Sequence, residues 1–424
     1  MAAGVQQDSL VLDGAEAAIF SFGPHEGFSP PAMASLPDKY SQETETVLQR
    51  WLSFLGLHFD PFRALDAGSD PWVHAYLVDH GTFTSISTNR PSFVFAPAGG
   101  GKSAFRVRLA RECRVTQRAF PVTYLVPSPA VLGGLKPDYA SHLAAICAAM
   151  AGELLLEVMY RPQRFETLPP GAQVEVRHAL DWNLPGRLDY FLRQLEWSGN
   201  LSPLIEAFDP TAQRLVGPPD SASIRQLCAR LRDLNSQPPA PTAESRFDHL
   251  VRLAADELGF KAVYVLIDGL DAHIETSTDP RAGLMLLRPL LRRTAALSQR
   301  RIYLKYFLPE EAQAGVNALP EAWMENARCR TVRWRLASLT EVIGERLRVA
   351  SGGMFCSLDA VSEPGLRNLE ASLVRMAGRV PREVLAAVEQ LLLVHVRRVG
   401  ATGKLSREDL EELRRLRSWA SRQG

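Results

Sequence analysis

Cysteine is scarce in this chain: five in 424 residues, at Cys113, Cys147, Cys228, Cys329 and Cys356. Their number is odd, their spacing is wide and no C-x-x-C pair occurs, so neither a zinc ribbon nor a secreted disulfide framework is indicated. A reducing, cytoplasmic setting is the expectation. Excess charge of either sign is also lacking, with 48 Lys and Arg against 47 Asp and Glu. That balance speaks against the basic footprint of a dedicated nucleic-acid binder. No apolar run reaches the roughly 18 uncharged residues of a membrane span. The longest, over 143–159, is interrupted by Glu153 and Glu157, which predicts a buried helix and no membrane partner. Residues 1–12 carry no basic segment ahead of an apolar one, so no secretory signal is expected. H-E-x-x-H, G-x-S-x-G and Cys-His clusters are absent from the sequence, which removes the usual marks of zinc and serine hydrolases.

What is there begins with length, enough for two or three domains at roughly 150 residues each. Residues 1–44 mix Gly, Pro, Ser and Ala without periodicity and read as a flexible tail. Val47, Leu48, Trp51, Leu52 and Leu55 then mark one face of a helix, and a second short helix is predicted over 71–79. Strands are predicted at 92–96, 120–126, 262–267, 302–308 and 331–334, with helical patterns between them. The stretch 136–242 is mainly helical and closes on a stiff connector at 237–241. Ser245 with Asp248 predicts a helix start there, and everything beyond Leu339 reads as helix, ending in a helix capped at Ser406. Strands alternating with helices point to an α/β fold with a parallel sheet covered on both faces.

The chemistry concentrates after the first strand, in Ala98-Gly99-Gly100-Gly101-Lys102-Ser103. A loop that wraps phosphates needs glycines so that its N–H groups can turn inward. It needs an ammonium for the β and γ phosphates, a hydroxyl for Mg²⁺, and a helix N-terminus facing the anion. This loop meets those demands between a strand and a helix. It departs from G-x-x-x-x-G-K-[ST] at Ala96, where an alanine fits if φ stays negative. Mg²⁺ also asks for a carboxylate at the tip of a neighbouring buried strand, and Val263 to Ile267 ends in Asp268. The next residue is Gly269, so Asp271 becomes the candidate to orient or deprotonate an attacking water.

Together these two segments resemble the P-loop NTPases of the additional-strand type, more narrowly the AAA+ and STAND branches, including origin-recognition-like bacterial ATPases. The resemblance spans about residues 59–396. It implies a P-loop core over 45–335 with a five-stranded parallel sheet, a helical insertion at about 136–242, and a helical lid over 336–424. It implies ATP and Mg²⁺ as cofactors, with Ala98, Gly99, Gly100, Gly101, Lys102 and Ser103 on the phosphates and Ser103 and Asp268 on the metal. Gly378-Arg379-Val380-Pro381-Arg382 is similar to the lid's sensor-2 box, which gives Arg382 the γ-phosphate. Lys305 lies near the sensor-1 place, Arg328 and Arg330 near that of a trans-acting arginine finger, and Phe59 and Trp72 in the region that cups adenine.

The expected function is an ATP-binding and ATP-hydrolysing molecular switch that controls assembly or a protein partner, as a homo-oligomer or with another chain. The missing acid after Asp268, with Ala96 and Ala272, leaves a second reading open: a catalytically weak nucleotide-binding scaffold in a bacterial defence or mobile-element complex. A third is an origin-recognition-like DNA-binding ATPase. The balanced charge and the absence of a winged-helix pattern after the lid disfavour it.

Overall fold

The computed structural model of the chain describes residues 42–209, 211, 219–235 and 242–420. The expected tail falls outside these residues except at 42–44, and the connector at 237–241 lies wholly outside them. In chain order the first elements are α1 (Gln42–Phe54), α2 (Gly81–Ile86), β1 (Ser92–Ala96), α3 (Lys102–Thr116) and β2 (Ala119–Leu125). Six helices follow: α4 (Tyr139–Tyr160), α5 (Pro162–Glu166), α6 (Pro170–Asn183), α7 (Leu188–Ser198), α8 (Ser202–Phe208) and α9 (Ser221–Asp233). Then come α10 (Ala243–Arg252), β3 (Ala262–Asp268), α11 (Ile274–Ser277), α12 (Pro280–Gln299), β4 (Ile302–Pro309), α13 (Gln313–Asn317) and β5 (Arg328–Thr331). The chain closes on α14 (Leu336–Ala350), α15 (Leu369–Ala377), α16 (Pro381–Val399) and α17 (Arg407–Ala420).

The five strands form one parallel sheet in the order β2-β3-β4-β1-β5. The α/β class is therefore as the sequence predicts. Side chains alternate across the sheet with period two. Phe93 and Phe95 of β1, Val263, Val265 and Ile267 of β3, and Leu304, Tyr306 and Leu308 of β4 join the core under α4, α10 and α12. Val94 and Ala96, Tyr264 and Leu266, and Phe307 face the other way, onto Phe105, Leu109 and Cys113 of α3. Apolar residues at every strand position follow from this double cover. β1 lies next to β4 and β5, so the chain leaves it in one direction toward β2 and later passes it toward β5. The carboxyl ends of β1 and β4 thus border a point where strand order reverses, the usual place for a ligand in an open α/β sheet.

Three local expectations need correcting. The segment 71–79 forms only a single 3₁₀ turn at Val73–Ala75, and the helix comes later, at α2. The N-cap of α10 is Thr242, whose hydroxyl accepts from the Ser245 N–H at 3.1 Å, so Ser245 lies inside the first turn. The last strand begins at Arg328, three residues earlier than its apolar pattern suggests, because its ladder to β1 pairs Ser92 with Arg328 through Phe95 with Thr331. A larger departure concerns α1, expected within the core segment 45–335. Its Leu48, Trp51 and Leu52 share an apolar cluster with α14–α17, and the Trp51 indole donates to Gly403 O at 3.1 Å.

At 22 residues α4 is long and apolar enough to cross a membrane, and it is mostly buried inside the fold. Its interrupting acids have partners. Glu153 takes two hydrogen bonds from Arg114, at 2.8 and 2.6 Å, and Arg114 also reaches Asp209 at 2.7 Å. Glu157 pairs with Arg161 and with Arg164. The buried Arg114 pairs fasten α3 to the helical insertion, and the Glu157 pairs lie within the insertion.

Candidate functional site

The loop after β1 uses each glycine for a different reason. Ala96 is fully buried as the last residue of β1 and has a negative φ, so the missing leading glycine costs nothing there. Gly99 and Gly101 have φ of +72° and +94°, in the region L side chains avoid. A Cβ on Gly100 would sit 2.8 Å from Pro97 O and 2.9 Å from the Ala96 Cβ. The loop then runs into α3 at Lys102. No acceptor among the described residues meets the N–H of Gly99, Gly101, Lys102 or Ser103. These free amides and the N-terminal end of a 15-residue helix make a positive cradle.

Lys102 is 5% exposed. Its ammonium donates to Ala96 O at 3.1 Å and Pro97 O at 3.2 Å, and it pairs with Asp271 Oδ2 at 2.9 Å. An ammonium has three donors, so all three are matched by protein oxygens. The turn that delivers Asp271 starts at Gly269, with φ +87°. Asp271 therefore reaches the site, as the counter-ion of Lys102.

Asp268 ends β3 and is buried. Its Oδ1 accepts from the Gly269 N–H at 2.8 Å, and its Oδ2 accepts from Arg106 Nε at 3.0 Å. Arg106 stands one turn beyond Lys102 on α3, so a single helix supplies a cation to each acid of the Asp268–Asp271 segment. The Ser103 hydroxyl, half-buried, has no hydrogen-bond partner among the described residues. No cluster of three or more potential metal ligands occurs among them either. A metal at Ser103 and Asp268 fits these residues only where Arg106 yields its carboxylate oxygen.

The outer side of the loop is clamped. The Arg382 N–H, at the start of α16, donates to Gly99 O at 3.2 Å, and its Cβ lies 2.6 Å from where a Gly99 Cβ would be. The Trp334 indole donates to Gly100 O at 2.9 Å. In a trans peptide the C=O and the following N–H point opposite ways. Holding Gly100 O outward thus turns the Gly101 N–H toward the inner side. His80 packs beside Trp334, with ring centroids 5.0 Å apart, and accepts from the Thr82 N–H. The Arg382 guanidinium has no acidic partner within 4 Å among the described residues.

Other candidates lie elsewhere. Lys305 lies mid-strand in β4, in register with Ser92 at the start of β1, whereas Pro309 is level with Ala96. Lys305 is thus four residues short of the carboxyl end of β4, the end level with the start of the Lys102 loop. It is fully buried in the interior strand β4. Its ammonium donates to Ile86 O, Thr88 O and Arg90 O at 2.6–2.7 Å, and burial pulls its pKa down to about 7. Arg328 and Arg330 lie within β5 itself; Arg328 reaches Ser85 O, and Arg330 bonds, among the described residues, the carbonyl of Cys329 alone. Phe59 and Trp72 stack on each other at 4.4 Å. Sequence reasoning missed Arg106 and Trp334. One arginine among 42 carries no mark of its own, and the hint for Trp334 is its place at the end of the last predicted strand.

In comparisons with known proteins, no family model, no curated protein and no solved structure matches the chain.

Proposed function

We propose that the chain is an ATP-binding switch of AAA+/STAND-like type whose lid reads the state of the Lys102 loop. One observation carries this reading: a loop with four unengaged amides and a buried ammonium lies against an acidic strand tip, while Arg382 of the lid holds the Gly99 carbonyl and Trp334, just before the lid, that of Gly100. The position of β4 between β1 and β3 supports the additional-strand comparison as well.

In this reading the amides of Gly99, Gly101, Lys102 and Ser103 bind phosphate oxygens, and Lys102 exchanges Asp271 for the β and γ phosphates. Ser103 and Asp268 would hold Mg²⁺, which when bound neutralises phosphate charge. Arg382, free of an acidic partner, extends toward the γ-phosphate from the lid. Asp271, released by Lys102, becomes available to orient a water.

A second reading, a scaffold that binds nucleotide and turns it over slowly, draws on a separate observation. Both candidate acids are committed to cations of the same helix, and no acid directly follows Asp268. The test is titration of a fluorescent ATP analogue into wild type and Lys102→Ala, with phosphate release measured in parallel. A fall in affinity of at least tenfold in Lys102→Ala is expected; equal affinity rejects the site. Tight binding without phosphate release selects the scaffold over the hydrolase.

A further inference from the structure

The sequence from Pro280 to Pro309 contains seven basic residues and no Asp or Glu, in a chain with 48 Lys and Arg against 47 Asp and Glu overall. Most of that run is α12. Arg288, Arg292 and Arg293 are exposed along it, and together with the exposed Lys136 they line a groove of about 680 Å³ against the start of α4. None of these four forms an ion pair among the described residues; Arg300, farther along, pairs with Asp248 at 2.6 Å. Among the described residues the one acid lining the groove is Asp138, whose Oδ1 caps α4, accepting from the Ser141 N–H and hydroxyl at 2.7 Å. Cations left without counter-ions on one face call for an anion from outside.

The groove is also aromatic. The Arg292 guanidinium lies 5.4 Å from the Trp323 ring centre and that of Arg293 5.3 Å from the Tyr139 ring, so two cations are held in place by half-buried rings. With Arg281 the basic face of α12 extends over 12 residues to Arg293, about 18 Å at the rise of a helix. That exceeds one phosphate group and suits a short run of them. Flat rings set among cations suit unpaired bases beside a phosphodiester backbone, which a plain acidic peptide does not offer and a duplex keeps stacked inside.

We propose that the groove between α12 and the start of α4 binds single-stranded nucleic acid, with Lys136, Arg288, Arg292 and Arg293 on the phosphates and Tyr139 and Trp323 beside the bases. This surface is separate from the Lys102 loop and does not depend on the nucleotide reading.

The test is fluorescence anisotropy with a labelled 12-nucleotide single strand, the full chain, no added ATP, and salt varied from 50 to 200 mM. Arg288→Glu/Arg292→Glu is compared with wild type and with Arg367→Glu/Arg375→Glu, which makes the same charge change at exposed sites on other elements. The groove variant is expected to lose at least tenfold in affinity, and its log–log salt slope to flatten by about 1.4, two contacts at ~0.7 each. The control variant should stay within twofold of wild type, and circular dichroism should report an unchanged fold for all three. Absence of binding at 50 mM salt, equal loss in the control variant, or competition by duplex or polyglutamate as strong as by single strand would each overturn the proposal.

Discussion

Arg106 and Asp268 sit opposite each other with side chains 4% and 3% exposed, so neither charge has water to fall back on. Removing one partner of such a pair typically costs about 3–5 kcal/mol, because the other stays buried and unpaired. Arg106→Met should therefore lower unfolding stability by about that amount in urea titration. It should also free a carboxylate oxygen of Asp268, so millimolar Mg²⁺ should stabilise the variant more than the wild type. An unchanged urea midpoint would show that the pair contributes nothing. Lys102 was legible in the sequence because glycines on one side and a helix on the other are a geometric requirement. Arg106 was not, because a partner 162 positions away leaves no local pattern.

At the scale of elements, the contact between the Lys102 loop and α16 is backbone against backbone, which is why Gly99 must be glycine. An alanine there would adopt φ near +72°, at about 1–2 kcal/mol, and its methyl would overlap the Arg382 Cβ. We expect Gly99→Ala to release α16 from the loop, weaken ATP-analogue binding, and speed tryptic cleavage at Arg379 and Arg382 at least severalfold. Cleavage at the wild-type rate would argue that the clamp is not a constraint on the lid. The first four strands were legible by their apolar runs, β5 (Arg-Cys-Arg-Thr) was not, and the final helix was legible by its cap: Asp409 N–H donates to Ser406 Oγ while Ser406 N–H donates to Asp409 Oδ2. The destination of α1 was not. A periodic apolar stripe says that a helix buries a face, and both the sheet and the C-terminal helices could have received it.

For the molecule as a whole, two apolar clusters carry the structure: one between the sheet and the helical insertion, the other uniting α1 with the C-terminal helices. A single buried carboxylate ties together the second. Asp409 is fully buried and accepts from the Ser406 N–H at 2.8 Å, from Arg398 Nε at 2.8 Å and from His395 Nδ1 at 2.8 Å, while the His395 ring packs against Trp51 of α1. Burial alone would raise the pKa of its carboxyl, but the hydrogen bonds from His395, Arg398 and Ser406 outweigh it and hold the group well below the usual 3.8. A carboxyl depressed in the folded state stabilises fully above its unfolded value, and that share is lost as pH falls below about 3.8. At pH 7, Asp409→Asn should lose on the order of 3 kcal/mol. Between pH 4 and pH 2.5 the gap between variant and wild type should narrow, because the unfolded wild type takes up a proton below about 3.8 while the folded carboxyl stays ionised. Thermal melts by circular dichroism across that range would check it. A gap that stays constant down to pH 2.5 would mean that shape and hydrogen bonding at Asp409, not its charge, hold the C-terminal helices to α1.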